Sequence, residues 1–430
     1  MAKIEDVNIF DLETLVNPYE AYQVLRNEAP VFYVPELNIH YVTRYDLIRG
    51  ALKDTKTFSS QFDSFLNLSR EAAMASMPAD GQQALKMIER KMVAIPPTML
   101  TLDEPDHTKY RSLVSQLFTG SLIKQSEAQV QSIVQEEIAK LTASTDELGS
   151  VDFMSAFAFA VPLRVIADRL GIPSSERTLF DEAAIAAAAG LRLSPQTPDE
   201  MLHRAQLALD LQHLMVDLIE ARRQDPRDDM ITLLANSRLE DSNRLLTHGE
   251  ALSILNQFLV AGHETTASTF GWGMLMLCER PELQAQIQAD IGLVKTFVEE
   301  ALRIESPVQG LPRVATTDTS LGGYPIKAGE FVMLRYGSAN RDERQFEDPD
   351  RVNLQRQKAG MQLAFGSGVH HCIGAPLARQ ELNLGFASLL QQMQNFRLSP
   401  QHPQPQAQPS FILRNLPQLH ICFDVHPQPN

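Results

Sequence analysis

From about Pro105 to Gln288, apolar residues recur three and four positions apart, the period of helices that turn one face inward. Gly171-Ile172-Pro173, Pro195, Pro226 and Pro281 punctuate this stretch and mark where one helix gives way to the next. Upstream, residues 18–29 show the same spacing through Tyr19, Tyr22 and Leu25. Two short runs of β character follow, Val31-Phe32-Tyr33-Val34 and Ile39-His40-Tyr41-Val42, which are predicted to pair as a hairpin across Pro35. Strand signals return beyond Pro312, in Thr319-Ser320-Leu321 and Phe331-Val332-Met333-Leu334. A helix from about Ala375 to Gln392, a Pro/Gln-rich loop at 399–409 and a hairpin around Phe411 to Phe423 complete the pattern. It predicts a mainly α fold with small β-sheets towards both ends.

A length of 430 residues ordinarily suggests two or three domains. No Gly/Ser linker, long charge run or internal repeat divides this chain, so a single domain over 1–430 is expected. A formal charge of -15 excludes a general nucleic-acid binder, which needs a basic surface. The first 30 residues carry Asp6, Asp11, Glu13 and Pro18 and no continuous apolar run, so neither signal peptide nor membrane anchor is expected. The most apolar stretches, Phe153 to Leu163 and Ala183 to Leu193, are too short to span a bilayer and are interrupted by Ser155, Pro162 and Arg192. Cys278, Cys372 and Cys422 are too few and too scattered for a disulfide framework, which points to the cytoplasm.

One cysteine has distinctive surroundings. In Phe365-Gly366-Ser367-Gly368-Val369-His370-His371-Cys372-Ile373-Gly374, the glycines let backbone approach a flat ligand and adopt positive φ. Cys372 falls where a helix begins, so backbone N–H groups and the helix dipole favour thiolate over thiol. Gly374 leaves room for a macrocycle at the start of that helix. A buried cysteine is ordinarily a small apolar residue, the reading given to Cys278 and Cys422. A zinc site from His370, His371 and Cys372 is disfavoured, since adjacent side chains rarely converge on one tetrahedral ion.

A second anomaly lies within the apolar helix pattern of 251–278, where Ala261-Gly262-His263-Glu264-Thr265-Thr266 places an acid, a glycine and two hydroxyls in one turn. Propensity opposes this, and a buried Glu requires a partner or a purpose.

The cysteine segment resembles the haem-binding signature of the cytochromes P-450, Phe-x-x-Gly-x-x-x-Cys-x-Gly, at every fixed position, and the Ala261–Thr266 turn resembles that family's oxygen-activation motif. The likeness extends from Asn17-Pro18-Tyr19 to Arg414-Asn415-Leu416. It implies a single-domain cytochrome P-450 fold, a triangular helical prism enclosing haem b (iron-protoporphyrin IX), with Cys372 as the metal ligand. Glu264 and Thr265 take the acid and alcohol roles by position, delivering protons in a dry pocket; His263 is expected to turn away. His107, Arg111, Arg313 and His370 match propionate-binding positions. Glu300 and Arg303 match the family's Glu-x-x-Arg, and Arg351 its third ion-network member, although Val352 stands where Phe is common. All three are read as structural.

By family position, Met99, Val260, Ala261, Val308, Gln309, Leu311 and Ile412 face the substrate. Almost all are apolar and none is charged, which suits a lipophilic small molecule such as a terpenoid, a steroid-like ring system or a fatty acid. Gln309 is the one evident hydrogen-bonding side chain among them. Met74, Met77, Met87, Met92 and Met99 favour adaptable apolar contact between Ser59 and Leu102. The stretch 181–215, with Gly190 and Pro195, is expected to form a lid, where Arg192 could meet a carboxylate. No nucleotide-binding Gly-rich motif is present, so electrons must come from a separate ferredoxin or flavodoxin with its reductase. Lys109 and Arg379 are expected in a basic patch that receives this partner. The resulting expectation is an O2-dependent monooxygenase. A peroxide-driven haem hydroxylase usually replaces the acid–alcohol pair, and a non-enzymatic thiolate-haem sensor would not need one.

Overall fold

The computed structural model describes residues 4–97, 99–147, 149–189 and 197–426. They form two compact units. One is built from the chain up to Phe58, from Gly120 to Pro162, and from Thr265 onward; the other runs from Ser59 to Thr119 and from Leu163 to Glu264.

In the first unit, helix α1 (Tyr19–Glu28) leads into strands β1 (Val31–Val34) and β2 (Ile39–Val42). These pair antiparallel in the register Val31↔Val42 and Val34↔Ile39. Asn38 closes the turn at φ 52°, a left-handed geometry that Asn tolerates better than most residues. Helix α2 (Tyr45–Lys53) follows. Later strands β4 (Leu311–Ala315) and β7 (Phe331–Leu334) extend the sheet in the order β1–β2–β7–β4, while β5 (Thr319–Leu321) and β6 (Tyr324–Ile326) form a separate hairpin. Val31, Val42, Ile48, Leu52, Val332 and Leu334 belong to one buried cluster, which fixes α2 against this sheet.

The hairpin expected around Phe411 to Phe423 is not formed. Strand β9 (His420–Val425) pairs instead with β8 (Met393–Leu398) and with β3 (Ser150–Asp152). Segment 411–416 follows a different course, taken up below. Strand β3 escaped the sequence reading because three residues are too few to display alternation. The apolar run from Phe153 begins with a π-turn, Met154–Ala158, before its α-helix starts at Ala160.

The second unit contains α3 (Asp106–Ser115), α4 (Arg177–Ala189) and α5 (Pro198–Gln224). Helix α5 opens with Pro198 behind a Thr197–Glu200 capping box. Gly190, Arg192 and Pro195 of the expected lid lie outside the described residues. Met77 is buried in apolar contact with Leu85 and Met201. The boundary between the units falls within α6 (His248–Glu279), which carries the acid–alcohol turn. The first unit also holds α7 (Pro281–Ala289), α8 (Val294–Ile304) and α9 (Ala375–Gln392). No helix among the described residues is long and apolar enough to cross a membrane.

Candidate active site

Cys372 stands three residues ahead of α9, with Gly374 at the cap and Pro376 in the first turn. The preceding loop closes on itself, since the amides of Cys372 and His371 donate to the carbonyls of Phe365 and Gly368 at 2.9 and 3.0 Å. Gly366 and Gly368 adopt φ values of 67° and 75°. A Cβ on Gly368 would stand 2.7 Å from the Leu52 carbonyl oxygen, so glycine is what lets the loop rest on the end of α2. A Cβ on Gly374 would lie 3.9 Å from Cys372 Sγ. The half-buried Cys372 contrasts with Cys278, whose thiol is pushed up to about 12 by burial and is therefore inert at neutral pH. None of the three cysteines is in a disulfide.

Helix α6 begins with a reciprocal cap: Thr247 N–H donates to Glu250, and Glu250 N–H donates to the Thr247 hydroxyl. Most of the helix is buried, but Ala261 is exposed and Val260 and Thr265 are half-buried. Ala261 and Thr265, four residues apart, share that uncovered face. Glu264 is 2 % exposed and His263 fully buried, with its Nδ1 2.8 Å from the Leu259 carbonyl.

Each group of proposed cationic donors lies on a defined element. His107 and Arg111 occupy one side of α3. Burial, and then the neighbouring Arg111 charge, hold the His107 imidazole below its usual pKa. Arg313 is buried in β4, donates to the Pro312 carbonyl at 2.8 Å and meets the Tyr336 hydroxyl. His370 lies in the cysteine loop.

Three sequence expectations require correction. Lys109 is held by Asp106 and Asp241, both at 3.0 Å, and Arg379 is bound to Glu299 at 3.2 Å while lying over the Phe365 ring. Their charges are thus neutralised locally. Lys53 and Lys56, which follow the Leu52 carbonyl lying against Gly368, are exposed. Arg351, secondly, contributes a carbonyl and not its guanidinium. Arg303 forks onto Glu300 at 2.7 and 2.9 Å and donates to the carbonyls of Asn340, Pro349 and Arg351. The second cation on Glu300 is Arg356, at 2.9 Å. Five residues of separation hid this substitution of one arginine for another.

Gln309 is the third. Its amide is 2 % exposed, accepts from the Tyr22 hydroxyl at 3.1 Å and donates to the Ser306 carbonyl at 2.7 Å. Both ends are engaged within the fold, so it offers no polar handle to a substrate. Among the other expected pocket residues, Met99 is 5 % and Ile412 1 % exposed, while Val308 and Leu311 are half-buried.

The family model for cytochrome P450 matches residues 7–423 of this chain. The chain belongs to the cytochrome P450 family. It is 33% identical over 377 residues to a vitamin D(3) 25-hydroxylase of Pseudonocardia autotrophica, covering 87% of this chain and 85% of that protein. The cytochrome P450 CYP109Q5 from Chondromyces apiculatus shares its fold with a TM-score of 0.82 at 31% identity, over 98% of this chain and 99% of the other. CYP109E1 from Bacillus megaterium, solved in complex with testosterone, matches with a TM-score of 0.78 at 27% identity, over 94% and 99% of the two chains.

As a cytochrome P450 the chain is a haem b monooxygenase, an oxidoreductase. Its residues suit that cofactor. A cysteine at a helix start provides a thiolate, and the bare Cα of Gly374 leaves its flank low. Sequence reading did not find Leu52, Tyr336 or Arg356. The first two support the site from distant segments by a carbonyl and a hydroxyl, which carry no motif.

Proposed function

We propose that this cytochrome P450 hydroxylates a compact lipophile in the cytoplasm, using O2 and electrons from a separate ferredoxin or flavodoxin system, with a steroid-like ring system the first candidate ahead of terpenoids and fatty acids. The observation that carries this reading is that Val260 and Ala261, apolar residues of α6, are half-buried and exposed, while Phe258, Leu259, His263 and Glu264 around them are buried. Met99, Val308, Leu311 and Ile412 are apolar as well, and the engagement of Gln309 removes the one polar candidate. Such surfaces reward shape and apolar area, at about 0.8 kcal/mol per buried methylene. The relatives that hydroxylate vitamin D(3) and bind testosterone support the ring-system class.

The residues then divide the work. Cys372 would hold iron through its thiolate, and His107, Arg111, Arg313 and His370 would take the propionates. Haem held in this way would supply the oxygen-activating chemistry, made more electron-rich by the thiolate. The Glu264 carboxyl moves protons inward, and the Thr265 hydroxyl orients the proton that is delivered. Lys53 and Lys56, beside the cysteine loop, attract an acidic electron donor despite the overall negative charge.

The test is a set of difference-spectrum titrations of the haem protein with steroids, terpenoids, graded fatty acids, small aromatic acids and polar macrolides. Tight, size-dependent response to the lipophiles is expected, strongest for steroids. A response confined to a macrolide or a charged aromatic compound would overturn the proposal.

A further inference from the structure

Segment 410–416 belongs to none of the sheets described above, yet it is firmly held. It runs antiparallel to 307–309, with Arg414 N–H on the Pro307 carbonyl at 2.9 Å, Gln309 N–H on the Ile412 carbonyl at 2.7 Å, and a bridge between Val308 and Leu413. Within the segment, Leu413 N–H donates to the Ser410 hydroxyl at 3.1 Å. The two stretches therefore move as one piece, and that piece carries Val308 and Ile412.

This piece is attached to α6 through Arg414, by its backbone carbonyl and by its side chain over Trp272. The Arg414 carbonyl oxygen accepts from the Ser268 hydroxyl and, at 3.2 Å, from the Trp272 indole N–H. Two donors occupy both lone pairs of that oxygen. Ser268 lies three residues beyond Thr265, and Trp272 one turn further, so both donors are fixed to the alcohol-bearing part of the helix. A buried serine in a helix commonly bonds back to its own preceding turn. This one instead reaches another segment. Trp272 is the chain's only tryptophan.

The Arg414 side chain fixes the same point from the other direction. Its guanidinium is bound to the Glu305 carboxylate, donates to the Val16 carbonyl at 2.6 Å, and lies 4.4 Å from the centre of the Trp272 ring and 4.9 Å from that of Tyr19. Glu305 also accepts from Tyr19 at 2.8 Å and from Arg341 at 2.9 Å. Three separate parts of the chain, 16–19, 268–272 and 305–307, thus converge on Arg414.

We infer that the Arg414 carbonyl is the fixed point that sets the distance between the Thr265 turn and the Val308–Ile412 piece, so that Ser268 and Trp272 are positioning residues for substrate selection. The inference rests on the proposed role of Val308 and Ile412 in facing the substrate. Removing either donor leaves the oxygen half-engaged and lets the piece shift, although no group that touches substrate has been altered.

The experiment uses the haem-loaded protein and two nitrogen ligands, imidazole and 4-phenylimidazole, titrated through the Soret shift. Imidazole senses access to iron, while the phenyl ring also senses the surrounding walls, and neither requires knowledge of the substrate. Ser268→Ala and Trp272→Phe should each change the ratio of the two dissociation constants about fivefold, the order expected for one lost hydrogen bond. Imidazole binding alone should be unchanged, and Ser268→Thr should restore the wild-type ratio. A wild-type ratio in both variants, with only the thermal midpoint lowered, would make the contacts purely stabilising and overturn the inference. Val308→Phe separates the two readings. If it moves the ratio while the donor variants do not, the clamp fails alone; if none of the variants moves it, the pocket assignment falls too.

Discussion

Replacing Arg356 and Arg351 separately by methionine distinguishes two versions of the ion network around Glu300. The sequence pattern favours Arg351 as the second cation; the structure places Arg356 there. The Arg356 side chain is 7 % exposed, pairs with Glu300 at 2.9 Å, and donates to the carbonyls of Glu347, Asp348 and Arg351 at 2.7, 3.2 and 3.3 Å. Losing a buried hydrogen bond costs about 1 kcal/mol net. Outright loss of one partner of a buried pair costs about 3–5 kcal/mol. Because Arg303 still holds Glu300, the cost of Arg356→Met should fall between these, at roughly 2–4 kcal/mol. Arg351 is exposed and serves through its carbonyl, which substitution preserves, so Arg351→Met should stay within roughly 0.5 kcal/mol of wild type. Urea unfolding of the haem-loaded protein, followed by Soret absorbance and far-UV circular dichroism, measures the difference. With a slope of about 3 kcal/mol/M or more for a chain this long, Arg356→Met should lower the midpoint by roughly 0.5–1.3 M. Equal shifts in the two variants, or a larger one in Arg351→Met, would refute the assignment.

Other consequences are as direct. Thr265→Ala should keep consuming reducing equivalents while diverting them to hydrogen peroxide, whereas Glu264→Gln should slow oxygen consumption itself; wild-type product per electron in both variants would remove the proton-relay roles. Glu250 is held down to about 2 from an ordinary 4.5, chiefly by hydrogen bonds from Arg244, with burial opposing. A depressed carboxylate stabilises the fold above its unfolded pKa, so the stability gap between wild type and Glu250→Gln should be full above about pH 4.5 and shrink as pH falls towards about 2. A gap independent of pH would contradict this. Charge reversal at Lys53 and Lys56 should slow reduction by an acidic ferredoxin, as added salt should, while Lys109→Gln should have little effect. Salt-independent reduction would count against electrostatic docking.

Residues that act through their immediate neighbours were legible in the sequence. The cysteine loop announces itself because Gly366 and Gly368 take positive φ within six positions of Cys372. The Ala261–Thr266 turn stands out because its polarity contradicts the apolar helix around it. The β1–β2 hairpin and α9 follow from local period and punctuation. What escaped depends on distant segments meeting. The C-terminal strand pairs with residues 150–152 and 393–398 in place of the adjacent 411–416, since that nearer segment is taken up by residues 307–309 and by Ser268 and Trp272. Arg356 was passed over because its distance from Glu300 is set by the course of the loop and not by a motif. Lys109 and Arg379 looked like free surface charge, yet Asp241 and Glu299, far away in sequence, neutralise them.

One spectrum tests Cys372 as the iron ligand most directly. The reduced protein exposed to carbon monoxide should show the strongly red-shifted Soret band of thiolate ligation in wild type, Cys278→Ala and Cys422→Ala, and should lose it in Cys372→Ala. Persistence of that band in Cys372→Ala, or its loss in either other variant while Cys372 is intact, would contradict the assignment.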